Sequence, residues 1–367
     1  MAERERAGVD GTAWTEFCRS LEAAGQKVLD HAADDLDRAE GFRWLARLAR
    51  GGLETFLEHG DTEFPTVPTL PYNLKIGCDN PDAHYQNVTI DPARTYRLHG
   101  PRGTVNYLGI GAYSGGYTAG APTPGRQGYL SFNAPERPDE VLEIIVAQDE
   151  PADLPESAHW LATSPDTRQV IIRNFFADRD TERSSDLRIE CLDPDRSSPQ
   201  PLSGAKLAGG LAMAGLFVHG VADLFIGWVE DLFKARPNTL DFLPEEDAAG
   251  GWGDPNQLFR HGYWTLGDDE ALVVSFTPPE CRYWNFQLNN VWEESLDYRF
   301  LPVTVNQHTA RYEPDGSVRI VVAHEDPGVG NWMDTAGHRH GAMGLRWNQA
   351  VEDVVPDCRV VARSSIG

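Results

Sequence analysis

This chain repeats itself, and the repeat limits what it can fold into. Moving residue 89 onto residue 265 lays TIDPARTYRLHGPRGTVNY (89–107) on TLGDDEALVVSFTPPECRY (265–283). The same shift lays PDEVLEIIVAQDEP (138–151) on PDGSVRIVVAHEDP (314–327) without a gap. There Pro138, Asp139, Val146, Ala147 and Pro151 meet identical residues. After a small gap, HWLATSPDTRQVIIR (159–173) matches NWMDTAGHRHGAMGLR (331–346). Short β-branched and aromatic runs bounded by Gly, Pro and Asp recur in one order, the mark of strands joined by turns. A duplicated unit of roughly ninety residues is of sandwich or jelly-roll size.

The fold expected is mainly β with α: two tandem jelly-roll-like β-sandwich repeats, N-terminal helices and a long inter-repeat helix. Residues 1–71 form the helical segment, 72–200 the first repeat, 201–256 a helical insertion with its loop, and 257–367 the second repeat. Trp14, Phe17, Leu21, Val28 and Leu29, then Phe42, Leu45, Leu48, Leu53 and Phe56, recur at helical spacing over 12–58. The aspartates between them (Asp30, Asp34, Asp35, Asp37) are expected to be solvated. Pro65, Pro68 and Pro71 then end the helical section. In 205–236, Leu207, Leu211, Ala214, Val218, Val221, Phe225, Trp228 and Leu232 keep a 4-3 spacing, an apolar stripe for burial. His219, Asp223 and Glu230 within it favour a buried helix over a membrane span.

Charge excludes several partners. Thirty-two basic residues stand against 56 acidic ones, a net charge of −24. Nucleic acid and anionic membranes both require clustered Lys and Arg. Five scattered cysteines (18, 78, 191, 281, 358) without CxxC spacing suggest reduced thiols. With no signal peptide in the N-terminal sequence, the expected location is cytoplasmic. No GxGxxG opening a helix, GxxxxGK[ST], GxSxG or HExxH occurs, and no cofactor is evident.

A site should lie where one copy gained polar groups that the other lacks. The strand Tyr107-Leu-Gly-Ile-Gly-Ala-Tyr113 becomes Tyr283-Trp-Asn-Phe-Gln-Leu-Asn289. Alternation puts Tyr283, Asn285, Gln287 and Asn289 on one face, and Arg282, Trp284, Phe286, Leu288 and Asn290 on the other. Gln148 becomes His324, and Glu293, Glu294, Asp297 and Tyr298 follow the strand. Such carboxylates beside a histidine could perform acid–base work; exposed, they would only be solvated. His338 and His340 form an HxH pair, a weak metal candidate. The remaining histidines, His84, His99, His159, His219, His261 and His308, read as structural.

RYWNFQLNNVWEESLDYR, AHEDPGVGNWMDTAGH and the GLRW segment ending at Trp347 resemble the DUF1214 family, often associated with DUF1254. NPDAHY (80–85) and VIIRNFFADRDTE (170–182) resemble its short actinobacterial-type members. The resemblance spans most of 72–350 and implies tandem jelly-roll-like sandwiches with helices, but no settled activity. Positions that look like the family's are Tyr283, Trp284, Gln287, Asn290, Trp292, Asp326, Pro327, Asn331, Trp332, His338 and Arg346. His340 stands where the family more usually has an acidic residue, which weakens the metal idea.

The expected function is an enzyme, a hydrolase or lyase, acting on a small polyhydroxylated or partly apolar molecule. His324, Glu294, Asp297 and Tyr298 would be catalytic. Arg282, Trp284, Asn285, Gln287, Asn290, Trp292 and Arg346 would bind substrate. The alternative is a non-catalytic small-molecule or carbohydrate-binding jelly roll. Self-association to a homo-oligomer through the aromatic strand is compatible with the same residues.

Overall fold

The computed structural model describes residues 2–68, 74–118, 125–241 and 253–366. Pro71, the 71/72 boundary and the interior of the loop before Asn256 lie outside these. The first repeat contains β1 (Ala83–Thr89), β2 (Tyr96–Pro101), β3 (Tyr107–Ser114), β4 (Gly125–Asn133), β5 (Val141–Ala147), β6 (His159–Ala162), β7 (Thr167–Phe175) and β8 (Arg188–Cys191). They build two four-stranded sheets, β1-β7-β3-β4 and β6-β5-β2-β8.

The second repeat contains β9 (Gln257–Thr265), β10 (Glu270–Phe276), β11 (Tyr283–Leu288), β12 (Thr304–Asn306), β13 (Val318–Ala323), β14 (Trp332–Asp334), β15 (His340–Asn348) and β16 (Asp357–Ala362). Its sheets run β9-β15-β11-β12 and β14-β13-β10-β16, so each strand of the first copy has its counterpart at the same place. Even the exceptional parallel pair recurs, as β5 with β6 and as β13 with β14. The fold is therefore mainly β with α: two sandwiches, helices at the N-terminus, and one long helix between the repeats.

Two compact units follow. One comprises Met1–Lys27, Leu45–Leu74 and Asp82–Ala222; the other comprises Val28–Trp44, Lys75–Pro81 and Asp223–Gly367. The first sandwich closes over Leu98, Ile110, Ile144, Val146 and Ile172. The second closes over Val274, Trp284, Phe286, Ile320, Leu345 and Trp347.

Helices α1 (Ala2–Val9), α2 (Thr12–His31) and α3 (Asp35–Leu53) fill the N-terminal region. Asp10 caps α2 by accepting from the Thr12 N–H at 2.9 Å, and Asp34 caps α3 through the Asp37 N–H at 2.9 Å. Helix α4 (Gly204–Gly227) buries Leu211, Ala214, Val218, Val221 and Phe225, the expected stripe. By length and composition, Gly204–Phe233 could cross a membrane; here that stripe packs inside protein. The expected spacing fails at its end. Residues Trp228–Phe233 form a π-helical turn, which takes an extra residue, so Phe233 turns inward and Leu232 is exposed.

Candidate functional site

The second sandwich has a polar layer on the outer face of its β9-β15-β11-β12 sheet. Trp284, Phe286 and Leu288 point into the apolar core, so alternation turns Tyr283, Asn285, Gln287 and Asn289 the other way. These four are nonetheless buried, because the segment Lys75–Pro81 covers them. Asn285 donates to Asn80 Oδ1 at 3.1 Å, and Gln287 donates to the Asp79 carbonyl at 2.9 Å and to Asn289 Oδ1 at 2.6 Å. Asp79 accepts from the Ser295 N–H and hydroxyl, both at 2.8 Å, while the Lys75 ammonium bonds the Ser295 carbonyl. Buried amides are affordable only when paired in this way.

Register brings two further groups to that face. On β15, Arg346 pairs with Asn285 on one side and Phe259 of β9 on the other. Its guanidinium lies 3.6 Å from the Phe259 ring centroid and donates to Gln287 Oε1 and to the Cys78 carbonyl. Gly344, two residues earlier, pairs with Gln287 and with His261 of β9. The imidazole of His261 is caged by Phe259, Phe233 and Trp228.

Three polar side chains converge there. The ligand-type atoms of Cys78, His261 and Glu293 all lie within 4.8 Å of one another, and all three residues are buried. Asn289 donates to the Cys78 sulfur at 2.7 Å. Glu293 is 0% exposed, and neither of its carboxylate oxygens has a hydrogen-bond partner. Burial pushes its carboxyl up to about 8, although Arg346 draws it partly back. Burial, reinforced by Glu293, pushes the Cys78 thiol well up; burial and Arg346 push His261 well down. Burial thus favours the uncharged form of each group: a thiol, a neutral imidazole and a protonated carboxyl.

The backbone is unusual at the same point. Cys78 and Glu293 hold φ values of 55° and 56°, the left-handed region disfavoured for residues with a Cβ. Gly77 before Cys78 has φ of 57°, and a Cβ there would run into the Phe225 ring. The turn carrying Glu293 is fastened by Asn290, whose side-chain oxygen accepts from the Trp292 and Glu294 N–H groups at 3.0 Å each.

A second polar group surrounds the start of α3. His340 bonds Asp37 at 3.0 Å; His338 lies 3.2 Å from Glu40 and 4.0 Å from Asp37. Asn290 donates to Glu40 at 2.8 Å, and Trp292 donates to the Asp37 carbonyl at 2.9 Å while stacking on Trp44. Asp37 is 1% exposed, so one of the expected solvated aspartates is interior. Its capping of the preceding turn and its bond to His340 draw it in. Burial pushes the Glu40 carboxyl up, but the His338 hydrogen bond, the Asn290 amide and the Arg43 charge outweigh it and lower it to about 2.

The residues singled out from sequence are divided among several settings. Asn285, Gln287 and Arg346 belong to the polar layer. Asn290 and Glu294 bond each other at 3.2 Å near α3, with Trp292 and the HxH pair. Trp284 is inside the sandwich with Trp347 and Phe276, and Arg282 is half-buried at the start of β11. Asp297 is bound by Arg299, which lowers it to about 2, and the Lys75 ammonium lies over the Tyr298 ring. His324 takes Thr335 as its hydrogen-bond partner at 2.9 Å.

Cys78, His261 and Glu293 are far apart in the chain, and no spacing motif joins them. Comparison of the copies does contain a signal. Arg346 paired with Asn285 occupies the place of Arg173 paired with Gly109. Counting from these, His261 opposite Gly344 occupies the place of Asn87 opposite Ile171. In the first copy the Gly109 and Gly111 spaces are filled by Tyr129 and Tyr113, and Arg173 donates to the Tyr113 hydroxyl at 2.7 Å. The same frame therefore holds tyrosines in one copy and amides with a thiol, imidazole and carboxyl in the other.

Comparison with known proteins adds ancestry. Residues 269–350 match the family model described as "Protein of unknown function (DUF1214)". The crystal structure of an uncharacterised protein from Burkholderia cenocepacia is 38% identical, with a TM-score of 0.89 over 99% of this chain and 100% of that one. The VPA0106 protein from Vibrio parahaemolyticus is 13% identical over 87% of this chain and 97% of its own, with a TM-score of 0.49. No curated protein matches.

Proposed function

Since this chain belongs to the DUF1214 family, whose description assigns no activity, its own residues must indicate a function, and we propose an enzyme of hydrolase or lyase type. Its substrate is a small polar molecule, and its chemical centre is Cys78, His261 and Glu293. The observation that carries this reading is the Glu293 carboxyl: fully buried, unpartnered at both oxygens, and beside a thiol and an imidazole. A buried group left without partners destabilises a fold, and such groups gather where chemistry needs them. Two left-handed residues at the same spot point the same way. Gln287, Asn289 and Arg346 supply polar contacts that would orient a substrate. Trp284 and Trp292, each 1% exposed, have no open face for sugar stacking, so the carbohydrate-platform alternative gains no support.

The test compares wild type with Glu293→Gln and Cys78→Ser on a metabolite panel read by mass spectrometry, with melting temperatures in parallel. The expected result is a loss of turnover of about 100-fold or more in both variants. With both proteins stripped by a chelator, Glu293→Gln should melt at or above the wild-type temperature. A lower melting temperature with conversion unchanged would overturn the reading and make Glu293 a structural group.

A further inference from the structure

The three donors have the composition of a metal site, and this step rests on their being the chemical centre proposed above. We propose that Cys78 Sγ, one ring nitrogen of His261 and one carboxylate oxygen of Glu293 hold a single thiophilic divalent ion of the zinc class, with the fourth position open to water. A thiolate, an imidazole and a carboxylate form a mixed soft and hard set that suits zinc and its neighbours better than magnesium or calcium. Three protein ligands with one free position is the arrangement of catalytic rather than structural zinc. The donors already fall within 4.8 Å of one another, and a tetrahedral ion asks for roughly 3.5 Å between donors. Side-chain rotations of about 1 Å close that difference.

The surroundings support the set. The Asn289 amide donates to the sulfur at 2.7 Å, the kind of outer contact that steadies a ligating thiolate. His261 is held between aromatic rings, which favours the uncharged imidazole that ligates. Glu293 reaches the centre with both oxygens unpartnered, so an ion would meet a need that no hydrogen bond fills. The charge of Arg346 opposes a cation, but its donors are turned to Gln287 and the Cys78 carbonyl. With thiolate, carboxylate, guanidinium and one bound hydroxide, a divalent ion makes the centre electrically neutral. A water activated there would serve the hydrolase or lyase chemistry proposed above.

Cobalt(II) tests the site because thiolate coordination gives it a near-ultraviolet charge-transfer band and tetrahedral coordination gives strong visible bands. The full chain, stripped with a chelator, is titrated with cobalt and then with zinc in competition. One equivalent should bind with both sets of bands, and zinc should erase them. Cys78→Ser should lose the charge-transfer band while its circular dichroism stays that of wild type. Asn289→Ala should weaken cobalt by about 10-fold or more. Glu293→Gln, which keeps the shape, guards against a Cys78→Ser variant that does not fold, and it too should weaken binding. Absence of the charge-transfer band in wild type, or its survival in Cys78→Ser, overturns the ion. Turnover that needs Cys78 and Glu293 in a protein that takes up no cobalt overturns the ion and leaves the enzyme reading intact. Cobalt bound with every expected band, in a protein that converts nothing, supports the ion and counts against the enzyme reading alone.

Discussion

The backbone N–H of Cys78 donates to the carbonyl oxygen of Glu293 at 2.8 Å, although both residues hold left-handed φ values. Each such conformation costs about 1–2 kcal/mol for a residue with a Cβ. The bond joins the two strained positions and sets their side chains beside His261. Strain and orphaned polarity thus coincide at one place, and the surrounding network of Asp79, Ser295, Lys75 and Asn80 holds them there.

Thiol chemistry reports on this closure. Cys18 is exposed, whereas Cys78 is buried and its thiol is pushed well up by burial. Iodoacetamide near neutral pH should alkylate Cys18 in the folded, metal-stripped protein and reach Cys78 only in denaturant. Peptide mass spectrometry reads both sites, and equal labelling of the two in the folded state contradicts the buried position.

Glu40 gives an acid-limb prediction. Its carboxyl is lowered to about 2 in the folded protein from an ordinary value of 4.5. Between those values the unfolded chain takes up a proton that the folded one refuses, so stability falls as pH falls. The contribution is complete above about pH 4.5 and is lost on the way to pH 2. Urea melts at pH 6 and pH 3 should show a smaller loss in Glu40→Gln than in wild type, by about 1–3 kcal/mol. An unchanged acid limb in the variant would refute the His338–Glu40 pairing as its source.

The Trp44–Trp292 stack, with ring centroids 5.4 Å apart, anchors the turn that carries Glu293. Trp292→Ala removes the stack and the bond to the Asp37 carbonyl and should cost about 3–5 kcal/mol. Trp292→Phe keeps the ring and loses the indole donor, so about 1 kcal/mol is expected on that account. Denaturant unfolding distinguishes the two, and equal losses would mean that stacking contributes nothing.

Gly341 offers a steric test without a change of charge. A Cβ at this position would collide with the carbonyl oxygen of Asn289, a backbone atom that cannot swing away. Gly341→Ala should therefore destabilise by about 1–3 kcal/mol and displace the amide that donates to Cys78. A wild-type melting curve for this variant would show that β11 and β15 separate freely at that point.

The frame was legible because its signals are local and periodic. The repeat, the alternation in β11 and the stripe of α4 are each written in neighbouring residues, and the two sheet orders match strand for strand. The polar face of Tyr283, Asn285, Gln287 and Asn289 was legible for the same reason. The π-helical turn at Trp228–Phe233 was not, because an extra residue per turn leaves no mark in the spacing. Asp37 reads as solvated from sequence because Asp30 and Asp35 near it are exposed, and only the tertiary partner His340 distinguishes it. Cys78, His261 and Glu293 meet through folding across long stretches of chain, so proximity in sequence carries no trace of them.

The compact unit built on the second sandwich is assembled from three separate pieces of chain, of which Val28–Trp44 and Lys75–Pro81 are the smaller two. On the ribosome, Cys78 is made long before His261 and Glu293, and it must wait through the whole first sandwich for them. The centre therefore cannot form until β9, β11 and β15 of the second sandwich have been made. A C-terminal fragment that contains only the family-matched residues 269–350 would begin too late to include the thiol or His261.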